Sequence, residues 1–246
     1  LTGVEPPEDL LVTIEEEIFK RRFGEVVRLE VDDRLPAGIR TLLLEELSAE
    51  EAAYGMRLTP ADIQDAGAIL DLGDLLSLAS SVDLPELKYP PHVPAIPDRL
   101  RDDSRSIFDV LREGDVLVHH PWESFSSSVE RFLETAALDE QVLAIKLTLY
   151  RTSGDTPIVH ALTAAAQRGK QVAVIVELKA RFDETNNIQW ARTLESFGVH
   201  VAYGSAELKT HAKLALVVRR EADGIRRYVH VGTGNYNTRT ARQYTD

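Results

Sequence analysis

The sequence predicts an α/β protein: an α+β domain over residues 1–113, followed by an α/β domain with a mixed, mostly parallel sheet over residues 114–246. After residue 114, strand-like apolar runs alternate with amphipathic segments, a pattern typical of a parallel sheet covered by helices. Residues 89–98, YPPHVPAIPD, contain four prolines, which exclude both a helix and a central strand and indicate an extended linker. A hydrophobic fraction of 43% and a charged fraction of 28% are typical of a folded globular chain.

The first domain is predicted from a short alternation of patterns. Leu10, Ile14 and Ile18 recur at helical spacing, and residues 26–32 alternate between apolar and polar side chains as a half-buried strand does. A second helix is expected after Pro36, and shorter helical or turn segments follow it. This domain contains no recognisable constellation of chemically active residues.

The second domain is more regular, and its expected strands and helices alternate along the chain. Strands are predicted at 115–121, 142–150, 171–178, 199–204, 213–220 and 226–232, with helices at 123–138, 156–169 and 184–198. The nearly continuous apolar run 171–178 indicates a strand buried on both faces. Ligands of such sheets bind beyond the carboxyl ends of the strands, so the polar residues at these ends are the candidates for a site.

Composition excludes several classes of function. The net charge is −12, and residues 1–113 contain 25 acidic against 12 basic residues, which argues against a nucleic-acid partner. No apolar run reaches the roughly 18 residues of a membrane-spanning helix. The first residues lack the features of a signal peptide. The absence of cysteine excludes disulfides, thiolate nucleophiles and cysteine-bound zinc.

The residues that follow the predicted strands are rich in groups that bind phosphate. They include two arginines, two lysines, a histidine and a Gly-Thr-Gly-Asn turn: Arg151, Arg181, Lys209, His211, Lys213, Gly232, Gly234 and Asn235. Guanidinium forks, ammonium groups and free backbone N–H groups all hold phosphate oxygens, and glycine lets the backbone approach an anion closely. A solvated loop with scattered charge is the alternative interpretation of each element taken alone.

His211 and Lys213 form the most informative pair. If this segment is extended, both side chains project from one face about 7 Å apart. A neutral imidazole beside cations can attack phosphorus, while the cations stabilise the oxygens of the transferred group. His230 lies two residues before the glycine turn and could support the site by a hydrogen bond, and either His119 or His120 could face it. Tyr236 and Tyr244 could flank a nucleotide base.

The motifs HAKLALVVRR and GTGNYN resemble the half-motif of the phospholipase D superfamily, His-x-Lys followed after a spacer by Gly-Ser-x-Asn. More narrowly, HHPWESF, LAIKLTLYRTSGDTPIV, VELKARFDETNNIQWA and YVHVGTGNYNTRTARQYTD resemble polyphosphate kinases of the first family, and RRFGEVVRLEVD and LKYPPHVPAIP extend the resemblance to the first domain. The resemblance covers essentially the whole chain. It implies the C-terminal part of a middle (head) domain followed by a phospholipase D-like catalytic domain that is incomplete at its C-terminus.

The resemblance implies an enzyme that reversibly transfers the terminal phosphate of ATP to polyphosphate through a phosphohistidine, with Mg²⁺ as cofactor. His211 matches the phosphorylated histidine, Arg151 and Arg181 match residues of the magnesium–phosphate site, and Tyr244 matches a residue at the nucleotide. Because arginine has no lone pair for a cation, the two arginines are expected to act through phosphate or water. The role of His230 stays open. The family further implies a homo-oligomer in the cytoplasm, with membrane association also open.

Two departures from the family pattern shape these expectations. The wider superfamily places an aspartate where this chain has Val218, which weakens a phosphodiesterase interpretation. The family's chain is also much longer, so these 246 residues are expected to be a fragment that alone makes little or no polyphosphate. A phospholipase D-like phosphodiesterase and a non-catalytic fragment for polyphosphate binding or assembly remain as alternatives.

Overall fold

The computed structural model describes residues 12–16, 18, 26–51, 58–67, 72–150, 157–178, 184–204 and 208–246. The chain forms two compact units, one comprising Lys20–Pro91 and the other comprising Leu1–Phe19 with His92–Asp246. The domain boundary expected between residues 113 and 114 stays a prediction.

The smaller unit contains two short strands and two α-helices among its described residues: β1 Leu29–Val31, α1 Ala37–Glu51, β2 Ile63–Asp65 and α2 Asp74–Ser81. The two strands pair in parallel, with Leu29 opposite Ile63. The strand near 26–32 and the helix after Pro36 are confirmed. β2 was expected only as a helical or turn segment, because a three-residue strand is too short to show an alternating pattern.

The larger unit contains most of the regular structure: α3 Ile107–Glu113, α4 Arg131–Leu138, β3 Val142–Leu149, α5 Pro157–Gln167, β4 Gln171–Val176, α6 Glu184–Ser196, β5 His200–Tyr203, β6 Lys213–Glu221 and β7 Gly224–Gly232. A π-helical stretch, Ser126–Glu130, runs directly into α4. Residues 12–16 and 18 are helical as expected, and Ile14 belongs to the core of this unit, where Glu15 pairs with Arg192 at 2.7 Å.

The sheet of the larger unit has the strand order β5-β4-β3-β6-β7. Strands β3, β4 and β5 are parallel, joined through α5 and α6, and β6 is antiparallel to both β3 and β7. Four of the five strands therefore run in one direction, which confirms the predicted mixed, mostly parallel sheet. The β6–β7 hairpin is confirmed too, and Gly224 supports its turn at φ +126°, a conformation that favours glycine.

The described residues cover one face of the sheet. Along β4, Val172, Val174 and Val176 are buried, whereas Ile175 between them is 41% exposed. The prediction that this strand is buried on both faces is therefore wrong for the described part of the chain, since a continuous apolar run does not reveal which side is covered. The covered face forms the core together with Phe108, Leu133, Leu162 and other apolar side chains of the helices.

The strand predicted at 115–121 is absent from the structure. Residues 114–119 lie in no helix or strand, and Leu117 is 91% exposed. Only the end of the segment is paired, where the His120 and Asp246 main chains exchange two hydrogen bonds of 3.0 Å. The sequence has the alternation of a strand, but no strand among the described residues lies in register to form a ladder with it.

Candidate functional site

One edge of the sheet gathers the residues that the sequence singles out. The carboxyl ends of β3, β4, β5 and β7 meet there, because Leu149 lies opposite Val176 and Gly232 lies opposite Lys213 at the start of β6. The antiparallel β6 therefore begins where its neighbours end. The Gly-Thr-Gly-Asn turn and the His-x-Lys segment are brought together by this arrangement.

His211 and Lys213 are in direct contact. Lys213 Nζ lies 3.0 Å from Nδ1 and 3.0 Å from Nε2 of His211. The imidazole is exposed, whereas Lys213 is only 4% exposed, because β6 begins at Lys213 and turns its side chain to the covered face. An ammonium in this position is within reach of an oxygen on phosphorus bound to either ring nitrogen.

Tyr150 completes the surroundings of His211. Its ring meets the imidazole edge to face, with ring centroids 4.7 Å apart. The ammonium groups of Lys209 and Lys213 lie 5.5 Å and 5.0 Å from the centroid of the same tyrosine ring. Two cations and one imidazole therefore surround one aromatic ring, which fixes the imidazole plane and concentrates positive charge beside it.

Two opposing effects act on the pKa of Lys213. Burial disfavours the ammonium form and lowers the pKa of Lys213, while the carboxylate of Asp246 acts in the opposite direction. A partly desolvated ammonium interacts more strongly with an incoming phosphate than a hydrated one, because little water has to be displaced from it.

The two predicted arginines, Arg151 and Arg181, lie outside the described residues, and their roles stay predictions. The residues that precede them are described. Tyr150, next to Arg151, contacts His211, and Glu177, four residues before Arg181, accepts a hydrogen bond of 2.6 Å from the Thr210 N–H. The described residues that precede each arginine therefore lie beside the His211 segment.

The glycines of the Gly-Thr-Gly-Asn turn make room for protein side chains. A Cβ on Gly232 would lie 3.0 Å from Cε1 of His230, and a Cβ on Gly234 would overlap the Asp246 carboxylate. Neither glycine has a positive φ. The expected close approach to this turn is thus made by a side-chain imidazole and a carboxylate, and the phosphate contacts of Gly232, Gly234 and Asn235 stay predictions.

His230 lies beneath the turn in a buried network. Its Nδ1 is 2.7 Å from the Tyr236 hydroxyl. Burial, with a smaller contribution from His120, lowers the pKa of His230 to about 4, and burial raises the pKa of Tyr236. His230 is therefore neutral at pH 7. Donation by the Tyr236 hydroxyl would assign the ring proton to Nε2, on the side of Gly232.

Two buried polar atoms near His230 have no hydrogen-bond partner among the described residues, His120 Nε2 and Asn235 Oδ1. Both residues line a cavity of about 300 Å³ together with His230 and Asp246. His120, rather than His119, is thus the member of the histidine pair that faces the glycine turn.

The two tyrosines named with the nucleotide have different environments. Tyr236 is 2% exposed and is bonded to His230, so the expectation that it flanks a base is wrong. Tyr244 is 63% exposed and follows a 3₁₀ turn at Thr240–Arg242, with its ring accessible. Its nucleotide contact stays a prediction.

Thr148, Tyr150 and Glu177 are residues of this edge that sequence reasoning missed. Glu177 is 2% exposed, and a charged residue at the end of an otherwise apolar strand is a signal that could have identified it. Thr148 and Tyr150 leave no comparable signal, because both residue types are common in strands for packing alone.

The described residues do not form a protein cage for Mg²⁺. In that part of the chain, no group of three or more histidine and carboxylate side chains lies close enough to hold a metal ion. Magnesium prefers oxygen ligands in near-octahedral geometry and commonly remains bound to substrate phosphates. The predicted magnesium role of Arg151 and Arg181 is untested, and the described donor set does not fit a resident ion.

The fold and the site define an α/β domain that brings an exposed histidine, two lysines and a glycine turn together at one edge of the sheet. Comparison with known families matches residues 106–246 to polyphosphate kinase C-terminal domain 1 and residues 4–78 to the polyphosphate kinase middle domain. The chain belongs to the polyphosphate kinase family.

Individual relatives agree with this assignment. Polyphosphate kinases of Mycolicibacterium gilvum and Mycobacterium tuberculosis are each 56% identical to the chain over 241 residues, or 97% of it. The crystal structure of polyphosphate kinase from Porphyromonas gingivalis matches 89% of the chain with a TM-score of 0.68 and 31% identity. The chain spans about a third of the length of these relatives, 32% of the M. gilvum protein and 31% of the M. tuberculosis protein.

None of the helices in the described residues is both long and apolar enough to cross a bilayer.

Proposed function

We propose that this chain contributes the phosphohistidine-forming site of a polyphosphate kinase, which reversibly transfers the terminal phosphate of ATP to polyphosphate. The observation that carries the proposal is the contact of Lys213 Nζ, at 3.0 Å, with both ring nitrogens of His211. The exposure of the imidazole supports it as well, because a nucleophile must be reached by its substrate.

The proposed reaction has two steps. His211 is phosphorylated in the first step and returns to the free imidazole in the second. A ring nitrogen of His211 attacks the terminal phosphorus of ATP, and the P–N bond forms as the P–O bond to ADP breaks. A terminal oxygen of polyphosphate then attacks the same phosphorus, and the P–N bond breaks. Lys213 and Lys209 stabilise the charge on the phosphoryl oxygens in both steps.

The roles expected for the two arginines and for Tyr244 are part of the same proposal. Arg151 and Arg181 would grip phosphate oxygens as bidentate donors, and Tyr244 would contact the nucleotide. A requirement for Mg²⁺, a homo-oligomeric state, a cytoplasmic location and the absence of a nucleic-acid partner remain predictions of the family resemblance and of the charge distribution.

The proposal is tested in a hybrid enzyme, defined as the M. tuberculosis relative in which these 246 residues replace the matching stretch. With ATP labelled on its terminal phosphate, the hybrid enzyme is expected to acquire an acid-labile, alkali-stable label and to lengthen polyphosphate. His211→Ala should remove both activities, whereas His200→Gln, at an exposed histidine of β5, should retain them.

Three outcomes contradict the proposal. One is an acid-labile label that survives His211→Ala. Another is a folded hybrid enzyme that forms neither phosphohistidine nor polyphosphate. The third is hydrolysis of a model phosphodiester at a rate comparable to phosphate transfer, which would favour the phosphodiesterase alternative despite Val218. In the second case, binding of polyphosphate without any transfer would favour the non-catalytic alternative.

A further inference from the structure

The segment 208–212, which carries Lys209 and His211, belongs to no helix or strand. It lies between the end of β5 and the start of β6, at the edge of the sheet. A nucleophile on an irregular segment needs other groups to fix it, because misplacement by about 1 Å can cost about 100-fold in rate.

Thr148 fixes this segment on the carboxyl side of His211. The regular pairing of β3 with β6 reaches Leu147 opposite Ala215. Beyond that point the Thr148 side chain replaces the backbone ladder: its hydroxyl donates to the Ala212 carbonyl at 2.6 Å and accepts from the Leu214 N–H at 3.0 Å. One hydroxyl thus uses its donor and an acceptor site on the two residues that flank Lys213.

Glu177 fixes the segment on the amino side of His211. Its Oε2 accepts a hydrogen bond of 2.6 Å from the Thr210 N–H. A carboxylate oxygen is a stronger hydrogen-bond acceptor than a neutral amide oxygen, and the Glu177 side chain is buried. Gly204 leaves space for it, since a Cβ there would lie 3.3 Å from the same Oε2 and 2.9 Å from the Thr210 hydroxyl.

The main chain of Glu177 is itself held in place by hydrogen bonds. Its N–H donates to the Leu149 carbonyl at 2.9 Å, and its carbonyl accepts from Nδ2 of Asn187 at 2.8 Å. The same amide nitrogen donates to the Tyr150 carbonyl at 2.8 Å. Asn187, on α6, therefore ties the ends of β3 and β4 together, and both ends reach the His211 segment.

We propose that Thr148 and Glu177 are positioning residues for the phosphate acceptor, holding the main chain on either side of His211 so that its ring stays against Lys213. The proposal rests on the proposed function of His211. We call Thr148 and Glu177 the clamp, together with their three hydrogen bonds to the main chain of Thr210, Ala212 and Leu214. None of these bonds involves a ring atom of His211. The clamp acts through the backbone, so its loss should slow transfer to the histidine more than it weakens nucleotide binding.

The test uses the hybrid enzyme with Thr148→Val, Thr148→Ser and Glu177→Gln. Thr148→Val keeps the shape of the side chain and removes the hydroxyl. Glu177→Gln keeps the size of the side chain but offers the Thr210 N–H only a neutral amide oxygen, a weaker acceptor than a carboxylate oxygen, or an NH₂ group that cannot accept. Single-turnover phosphorylation of the enzyme by labelled ATP is expected to fall about 10- to 100-fold in both variants, with KM for ATP changed less than about threefold. Thr148→Ser should restore the rate to within about threefold of the parent.

The matched control is Thr193→Val, which removes a hydroxyl that donates to the Gln189 carbonyl within α6, away from the His211 segment. It should leave the rate and KM unchanged. Melting temperatures and amide exchange at Thr210 separate a local effect from unfolding: the clamp predicts faster exchange at Thr210 in Glu177→Gln and a melting temperature close to that of the parent.

The outcomes distinguish the clamp from the function on which it rests. If His211→Ala removes the label but His211 is phosphorylated at the parent rate in Thr148→Val and Glu177→Gln, the proposed positioning role of the clamp is wrong. The proposed function of His211 then still stands. If His211→Ala keeps the label, both are wrong. A loss in Thr148→Val that Thr148→Ser does not restore, with Glu177→Gln at the parent rate, also overturns the clamp.

Discussion

The two histidines at the sheet edge have opposite environments. His211 is exposed, meets the Tyr150 ring edge to face and touches the Lys213 ammonium group, whereas His230 is partly buried, neutral and hydrogen-bonded to the Tyr236 hydroxyl. A histidine near a glycine turn therefore has to be judged by its access to solvent and by its neighbours. The first environment suits a nucleophile, and the second suits a fixed hydrogen-bonding group that shapes the adjacent turn.

The largest expected effect concerns the cation beside the exposed histidine. In the hybrid enzyme, Lys213→Met keeps the length of the buried side chain and removes the charge that faces the phosphoryl oxygens. We expect the rate of His211 phosphorylation to fall about 100- to 1000-fold, measured by quenched-flow labelling.

The control for this substitution is Lys146→Met, at an exposed lysine of β3. It should leave the rate within about twofold of the parent. If His211 is phosphorylated as fast in Lys213→Met as in Lys146→Met, the exposed histidine needs no neighbouring cation. That result would contradict the difference drawn between the two histidines.

A smaller effect concerns the buried histidine and is seen in stability. The pKa of His230 is about 4 in the folded chain, against 6.5 for a free side chain. Between these two pH values the unfolded state binds a proton at His230 and the folded state does not. Stability should therefore fall as the pH drops from about 6.5 towards 4. Between pH 7 and pH 5 this histidine should account for a loss of about 2 kcal/mol.

The loss is measurable by urea unfolding of the larger unit followed by tryptophan fluorescence, since Trp122 and Trp190 both lie in that unit. His230→Gln should flatten the dependence on pH, and His200→Gln should not. An equally steep dependence in His230→Gln would assign the proton uptake to another group.

Much of the fold of the larger unit was predictable from the sequence because its signals are local. The β6–β7 hairpin follows from two apolar runs around a turn with Gly224, and the β3–α5–β4–α6–β5 order follows from alternating periodicities. The segment 115–121 shows the limit of such signals. Its pattern is that of a strand, but a strand needs a partner in register, and a pattern within one segment does not identify that partner.

The site was predictable only in part for a related reason. His211, Lys213 and the glycine turn were found because they form short motifs with chemical meaning. Thr148 and Glu177 act through bonds to residues 64 and 33 positions away, and no local pattern encodes such pairs. The roles of Gly232 and Gly234 were inferred from backbone access, yet the space they provide is used by His230 and Asp246.

The central claim is that His211, and not His230, receives the phosphate. The most direct test is to phosphorylate the hybrid enzyme with ATP in a single turnover, digest it under alkaline conditions and locate the phosphohistidine by electron-transfer mass spectrometry. We expect phosphate on the peptide that contains His211 and none on the peptide that contains His230. Phosphate on His230, or on a residue outside the segment 208–212, would contradict it.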